Sequence, residues 1–234
     1  MKKPSIAAAL FLVVLPVAAQ ISLSPAAQSS DSSKSSTIVL PELNLKGSGS
    51  TMFATLVRGA GLSGGVATSR PDCSPEPDGA VSIPSGTKLG NAFAEIAKFS
   101  PKAEWHVQDR VANFFPVGAI PPMLQTQVHA FMWDKATPFR EVLDRLRQLP
   151  EVTEAASKLG LREAPFEGGG GAICVRGDCA EEARPETAME TEKNVPLLEV
   201  LNRVAKAHNG AAVWDYIEYH CDRGTLFSLS AIAE

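Results

Sequence analysis

One spacing recurs four times along this chain: an apolar residue followed by others at +3, +4 and +7, with Thr or Val two places before the first. The copies are Thr51/Phe53-Leu56-Val57-Ala60, Thr87/Leu89-Ala92-Phe93-Ile96, Thr137/Phe139-Val142-Leu143-Leu146 and Val195/Leu197-Val200-Leu201-Val204. At 3.6 residues per turn this spacing puts the apolar side chains on one face of a helix. Each such helix must lie on something. The steps between copies are 36, 50 and 58 residues, too uneven for a solenoid, whose neighbours stack only at a nearly fixed period. They fit helices that each cover a short sheet, so the expected fold class is α+β, with repeated helix-on-sheet modules and short antiparallel hairpins.

Local signals set the expected boundaries. The first helix spans 51–60 and stops at Gly61, where a residue without a Cβ takes a left-handed cap. A Gly-rich segment (Gly61, Gly64, Gly65) then leads into a Pro- and Asp-rich loop over 70–79. A short strand is expected at 80–83, and Thr87 caps a second helix that ends at Ser100-Pro101. Residues 105–108 and 111–115 flank Asp109-Arg110 as a hairpin. A strand over 128–132 precedes a third helix with Thr137 as N-cap and Pro138 in its first position. That helix ends at Leu149-Pro150, and a short one over 151–159 ends at Gly160. The fourth copy repeats the third at Pro138/Pro196, Glu141/Glu199, Val142/Val200, Leu143/Leu201 and Arg145/Arg203, more identity than an apolar stripe requires. It ends at Asn209-Gly210, and strands over 212–219 and 226–230 close the chain around Asp222-Arg223-Gly224. Copies two and four are thus both followed by strand, turn, strand.

The chain begins with Lys2 and Lys3, an almost wholly apolar run over 6–17, and small residues at Val17-Ala18-Ala19. This reads as a signal peptide over 1–19, too short to span a bilayer. No Cys follows the cleavage region, so a lipid anchor is not expected. Residues 20–37 are rich in Ser and Ala and form a flexible leader. Two modules follow, 38–116 and 117–234, divided near 116–122, the second carrying a Gly-, Cys- and Glu-rich insertion over about 165–193. Processing removes two lysines and no acid, moving the formal charge from −4 to −6. An acidic chain lacks the basic footprint of nucleic-acid binding and of attachment to acidic lipid surfaces. The product is expected to be periplasmic or extracellular, without stable membrane insertion.

A strand, a capped helix of the form x-[TV]-x-[LF]-x-E-[VL]-L, a Gly- or Asn-containing stop and a hairpin resemble the short periplasmic domain at the N-terminus of secretins and TonB-dependent receptors. The matching stretches are 81–117 and 191–232, with 130–149 as a partial copy. The resemblance implies an α+β interaction module with a protein partner in the cell envelope, without catalysis; no outer-membrane barrel or secretin core follows the match in this sequence.

The chemistry-bearing residues support little else. Cys73, Cys174, Cys179 and Cys221 are even in number, as expected of disulfides in an oxidising compartment. Three connectivities are open; the favoured one closes Cys174 with Cys179 locally and leaves Cys73 for Cys221. Their spacing matches no common zinc pattern. Arg176-Gly177-Asp178 reads as turn chemistry, and Gly168 to Gly171 as a linker, since no Lys-Ser/Thr follows. His106, His129, His208 and His220 fall in no metal-ligand spacing, and no nucleophile elbow is present. Trp105 and Trp133 read as core or edge residues. No catalytic, cofactor or metal residues are therefore expected. The alternative is a small exported hydrolase, built on His106 with Asp109 or on Glu218 with His220.

Overall fold

The computed structural model describes residues 38–100, 103–134, 137–165, 189–190, 194–208, 212–222 and 224–232. In the first half the chain runs β1 (Leu43–Gly47), α1 (Gly49–Gly59), β2 (Ser63–Arg70), β3 (Gly79–Ile83), α2 (Leu89–Ala97), β4 (Ala103–Gln108) and β5 (Val111–Pro116). After a 3-10 turn (Pro122–Gln125) come β6 (Gln127–Val128), β7 (Met132–Trp133), α3 (Phe139–Arg147), α4 (Pro150–Lys158) and β8 (Leu161–Glu163). Then follow β9 (Met189–Glu190), β10 (Val195–Pro196), α5 (Leu197–Ala207), β11 (Val213–Cys221) and β12 (Gly224–Ala231). The fold is α+β.

One mixed sheet carries both halves, in the order β4-β5-β2-β11-β12-β8. Its hairpins, β4·β5 and β11·β12, are antiparallel, whereas β5·β2, β2·β11 and β12·β8 are parallel. Parallel pairing at the centre is a departure from the antiparallel hairpins expected. Connectivity repeats: β1-α1-β2-β3-α2-β4-β5 is followed by β7-α3-β8-β9-α5-β11-β12, with α4 added after α3 and the short β6 and β10 added before β7 and α5. In both halves the first and third strands pair antiparallel, and the last strand pairs in parallel with the strand after the first helix.

The two helix sets lie on opposite faces. One core gathers Phe53, Leu56 and Val57 of α1 and Leu89, Phe93 and Ile96 of α2, together with Val66 and Val213. The other gathers Val142 and Leu146 of α3, Val152 of α4 and Val200, Leu201 and Val204 of α5, together with Ala67 and Trp214. Successive strand residues point to opposite faces, so Val66/Ala67 and Val213/Trp214 each divide between the two cores. All four sequence copies place their stripes inward, in α1, α2, α3 and α5.

The largest difference from expectation is β2. Gly64 and Gly65, expected only as a Gly-rich segment leading into a loop, lie in a central strand where the partner strands come too close for a side chain. A Cβ at Gly65 would fall inside the Trp214 indole, and one at Gly64 would meet the Ala112 carbonyl. Glycine inside a strand marks such an approach. Gly65→Ala should therefore cost about 1–3 kcal/mol through overpacking, read as a lower urea midpoint; an unchanged midpoint would mean the indole has room.

Caps differ too. α1 begins two residues early because Ser48 is its N-cap, its hydroxyl accepting the Thr51 N–H at 3.2 Å. Thr87 instead donates to the Pro84 carbonyl at 2.6 Å, and Lys88 takes the cap position. Pro138 has ψ 150° and is itself the N-cap of α3. Thr137 is thereby one residue too far out, and it donates to Asp134 Oδ1 at 3.0 Å. The stretch 128–132 is not one strand: it divides between β6 and β7, which pair with β10 and β9. The strands β1 and β8 were not expected. Gly61 and Gly160, at φ +64° and +67°, end α1 and α4 alike.

Candidate functional site

The open face of the β11–β12 hairpin holds the polar groups that neither core absorbs. Alternation puts Asp215, Ile217, Tyr219 and Cys221 on the α1/α2 side of the sheet, and those helices stand over β2 and β5, leaving the hairpin uncovered. The 71–78 loop crosses there, held at both ends. Cys73 is disulfide-bonded to Cys221, with Cα atoms 5.3 Å apart. Cys174 and Cys179 lie outside the described residues, as do Arg176-Gly177-Asp178 and the Gly168 to Gly171 run.

Glu76 is the second anchor. Its carboxylate accepts from Ser50 Oγ at 2.8 Å and Ser100 Oγ at 3.0 Å, and lies 3.6 Å from Arg70. Ser50 is in the first turn of α1, where unpaired N–H groups favour a negative charge. Glu76→Ala should cost about 2 kcal/mol, the usual scale for hydrogen bonds to a charged group, and should speed amide exchange across the 71–78 loop; unchanged exchange would remove Glu76 as an anchor. Arg70 also stacks over Tyr219, 5.3 Å from the ring centroid.

Asp215 sits under this strap. It is half-buried as a residue, yet its Oδ1 is shut off from water and finds no hydrogen-bond partner among the described residues. Burial pushes its carboxyl up to about 7, and the Arg70 guanidinium opposes the rise only in part. Burial likewise raises the phenol of Tyr219, and that of Tyr216, which donates to Glu218 at 2.6 Å.

Beside the hairpin a cleft of about 420 Å³ runs along β12, lined among others by Leu143, Arg147, Ala164, Ile217, Ser228 and Leu229. It exists because β8 is short. That strand pairs only with Thr225, Leu226 and Phe227, and its lane ends where Ala164 donates to the Phe227 carbonyl at 2.8 Å. Residues 228–231 of β12 therefore keep β11 on one side and the cleft on the other. Arg147, ion-paired with Asp144 and Glu163, forms part of the far wall.

The histidines do not assemble a catalytic group. His106 lies 3.5 Å from Glu104 on an exposed edge strand, while Asp109 sits in the two-residue turn with φ 51°. His220 Nε2 is 3.0 Å from Ser69 Oγ and 4.0 Å from Glu218. Serine and carboxylate approach the same ring nitrogen, so Glu218 cannot orient the imidazole from behind as a hydrolytic triad requires. His129 leans on Glu151, and His208 hydrogen-bonds the Val204 carbonyl at 2.7 Å within the helix end. Trp105 packs on Phe93 and Trp133 on Phe131. Among the described residues no group of three or more His, Cys, Asp or Glu is placed to hold a metal ion.

Sequence reading missed Arg70, Glu76, Asp215 and the open edge. Asp215 carried a signal, an acid flanked by Trp214 and Tyr216 in an apolar strand. The edge carried none, because it depends on where β8 stops. No helix among the described residues is long and apolar enough to cross a membrane. Compared with known proteins, the chain matches no family model, no curated protein and no solved structure.

Proposed function

We propose that the protein is an exported, non-catalytic interaction module that docks a protein partner in the cell envelope, in the manner of the short N-terminal periplasmic domain of secretins and TonB-dependent receptors. The observation that carries this reading is the edge of β12 that no described residue pairs beyond Phe227, beside an open cleft, a surface suited to protein contact. The disulfide across the open face supports residence in an oxidising compartment. The repeated connectivity supports descent of the two halves from one duplicated unit. The test is capture of partners from envelope extracts by the chain lacking residues 1–19. Reproducible enrichment of one envelope protein, competed by untagged protein, is expected; enrichment of none overturns the reading.

A further inference from the structure

Resting on that docking role, we infer that the partner contributes an extended peptide, which adds to the sheet as a strand against residues 228–231 of β12, in the lane that β8 vacates. Hydrogen bonding in the β11·β12 hairpin alternates. Its two-residue turn makes Cys221 and Gly224 the first bonded pair, so Leu226, Ser228 and Ser230 turn their N–H and C=O toward β11. The bond from Ile232 N–H to the Val213 carbonyl, 3.0 Å, keeps this phase to the strand's end. Phe227, Leu229 and Ala231 consequently turn theirs outward. Phe227 is answered by Ala164. Leu229 and Ala231 face the cleft.

Two outward residues in register present donors and acceptors about 6.8 Å apart. Another extended backbone matches that repeat. β8 ends for a stated reason: Pro165 follows Ala164 and has no N–H to give. The lane beyond is not filled by a side chain, since about 420 Å³ stands open there, within the ordinary range for ligand sites. The cleft also says what the peptide carries. Residues pointing one way meet Arg140, Leu143, Asp144 and Arg147 of α3 and Glu163 of β8, and those pointing the other way meet Ile217, Tyr219 and Leu226. The first wall is charged around Leu143 and the second is largely apolar, so the occupant is a short extended stretch that alternates polar and β-branched residues, without proline.

The probe is an octapeptide of alternating Thr and Val with Lys at each end, blocked at both termini and carrying fluorescein. Its control is the same peptide N-methylated at every second residue. Binding is expected by anisotropy, weakened at least about tenfold by N-methylation, with amide exchange slowed at Leu229 and Ala231 on binding. Ala231→Pro removes one outward N–H and leaves the β11 ladder untouched; Ser228→Trp fills the cleft without altering the backbone. Both should abolish binding while keeping the wild-type circular dichroism spectrum. Equal binding of the methylated peptide, no binding at millimolar peptide, or unprotected Leu229 and Ala231 amides overturns the inference. So does a dimer in sedimentation that Ala231→Pro dissolves, since a second copy would then own the edge. An envelope partner captured equally by wild type and Ala231→Pro leaves the docking role standing and removes this site. Peptide binding without any captured envelope partner does the reverse.

Discussion

Replacing Cys73 and Cys221 together with serine is expected to lower unfolding free energy by about 5 kcal/mol. The bond joins residues separated by 148 positions, and closing so long a loop in the unfolded chain removes entropy on that scale in the chain-entropy model. The double variant is preferable to chemical reduction because it leaves Cys174 and Cys179 as they are. The measurement is urea unfolding of both proteins under non-oxidising handling, with ΔG extrapolated from the linear region. A steeper m-value should accompany the loss, since the uncrosslinked chain exposes more surface when unfolded. A difference below 1 kcal/mol would show that the bond constrains little.

Asp215→Asn is expected to act in the opposite direction at neutral pH. In the fold the carboxyl sits at about 7 against its ordinary 3.8. Between these values the folded state keeps a proton that the unfolded state has released. Stability is therefore fullest below pH 4 and falls as pH rises through about 7, by about 1.4 kcal/mol per pH unit, about 4 kcal/mol in all. Asparagine keeps the shape and never ionises, so the variant should lose this pH dependence. At pH 8 it should melt about 10 °C above wild type, given the usual 2–4 °C per kcal/mol for a chain of this size. Thermal unfolding at pH 4.5 and 8 tests both statements. A wild type equally stable at the two pH values would mean that Asp215 ionises freely. Because Glu76 acts on this carboxyl from the strap, the pH range over which stability falls should also narrow when the disulfide is removed.

What could be read from the sequence was what one helix or one hairpin decides for itself. The four stripes and the stops at Gly61 and Gly160 depend on neighbours within a turn or two. So does the Asp109-Arg110 turn. Misreadings arose where a distant strand decides. Gly64 and Gly65 have loop composition, and only the arrival of Trp214 and Ala112 makes them a strand. Thr87 and Thr137 have cap chemistry, but the conformations of Lys88 and Pro138 shift each cap by one residue. The 128–132 run is apolar enough for one strand, yet its ends pair with different partners. The candidate site was less legible still. Its edge is defined by a strand that stops short, and its buried acid by a loop tied down from the far end of the chain.

The shared sheet also orders the events of folding in time. β2 lies between β5 and β11, and β11 begins at Val213. During synthesis the first half can form its helices and the β4·β5 hairpin, but one flank of β2 stays bare until the last strands emerge. Val66 and Val213 share a core, as do Ala67 and Trp214. Neither side of the sheet is sealed before the chain is nearly complete. Contacts of such long sequence separation fold slowly. A truncation before residue 213 should therefore yield an aggregating fragment rather than a smaller working module.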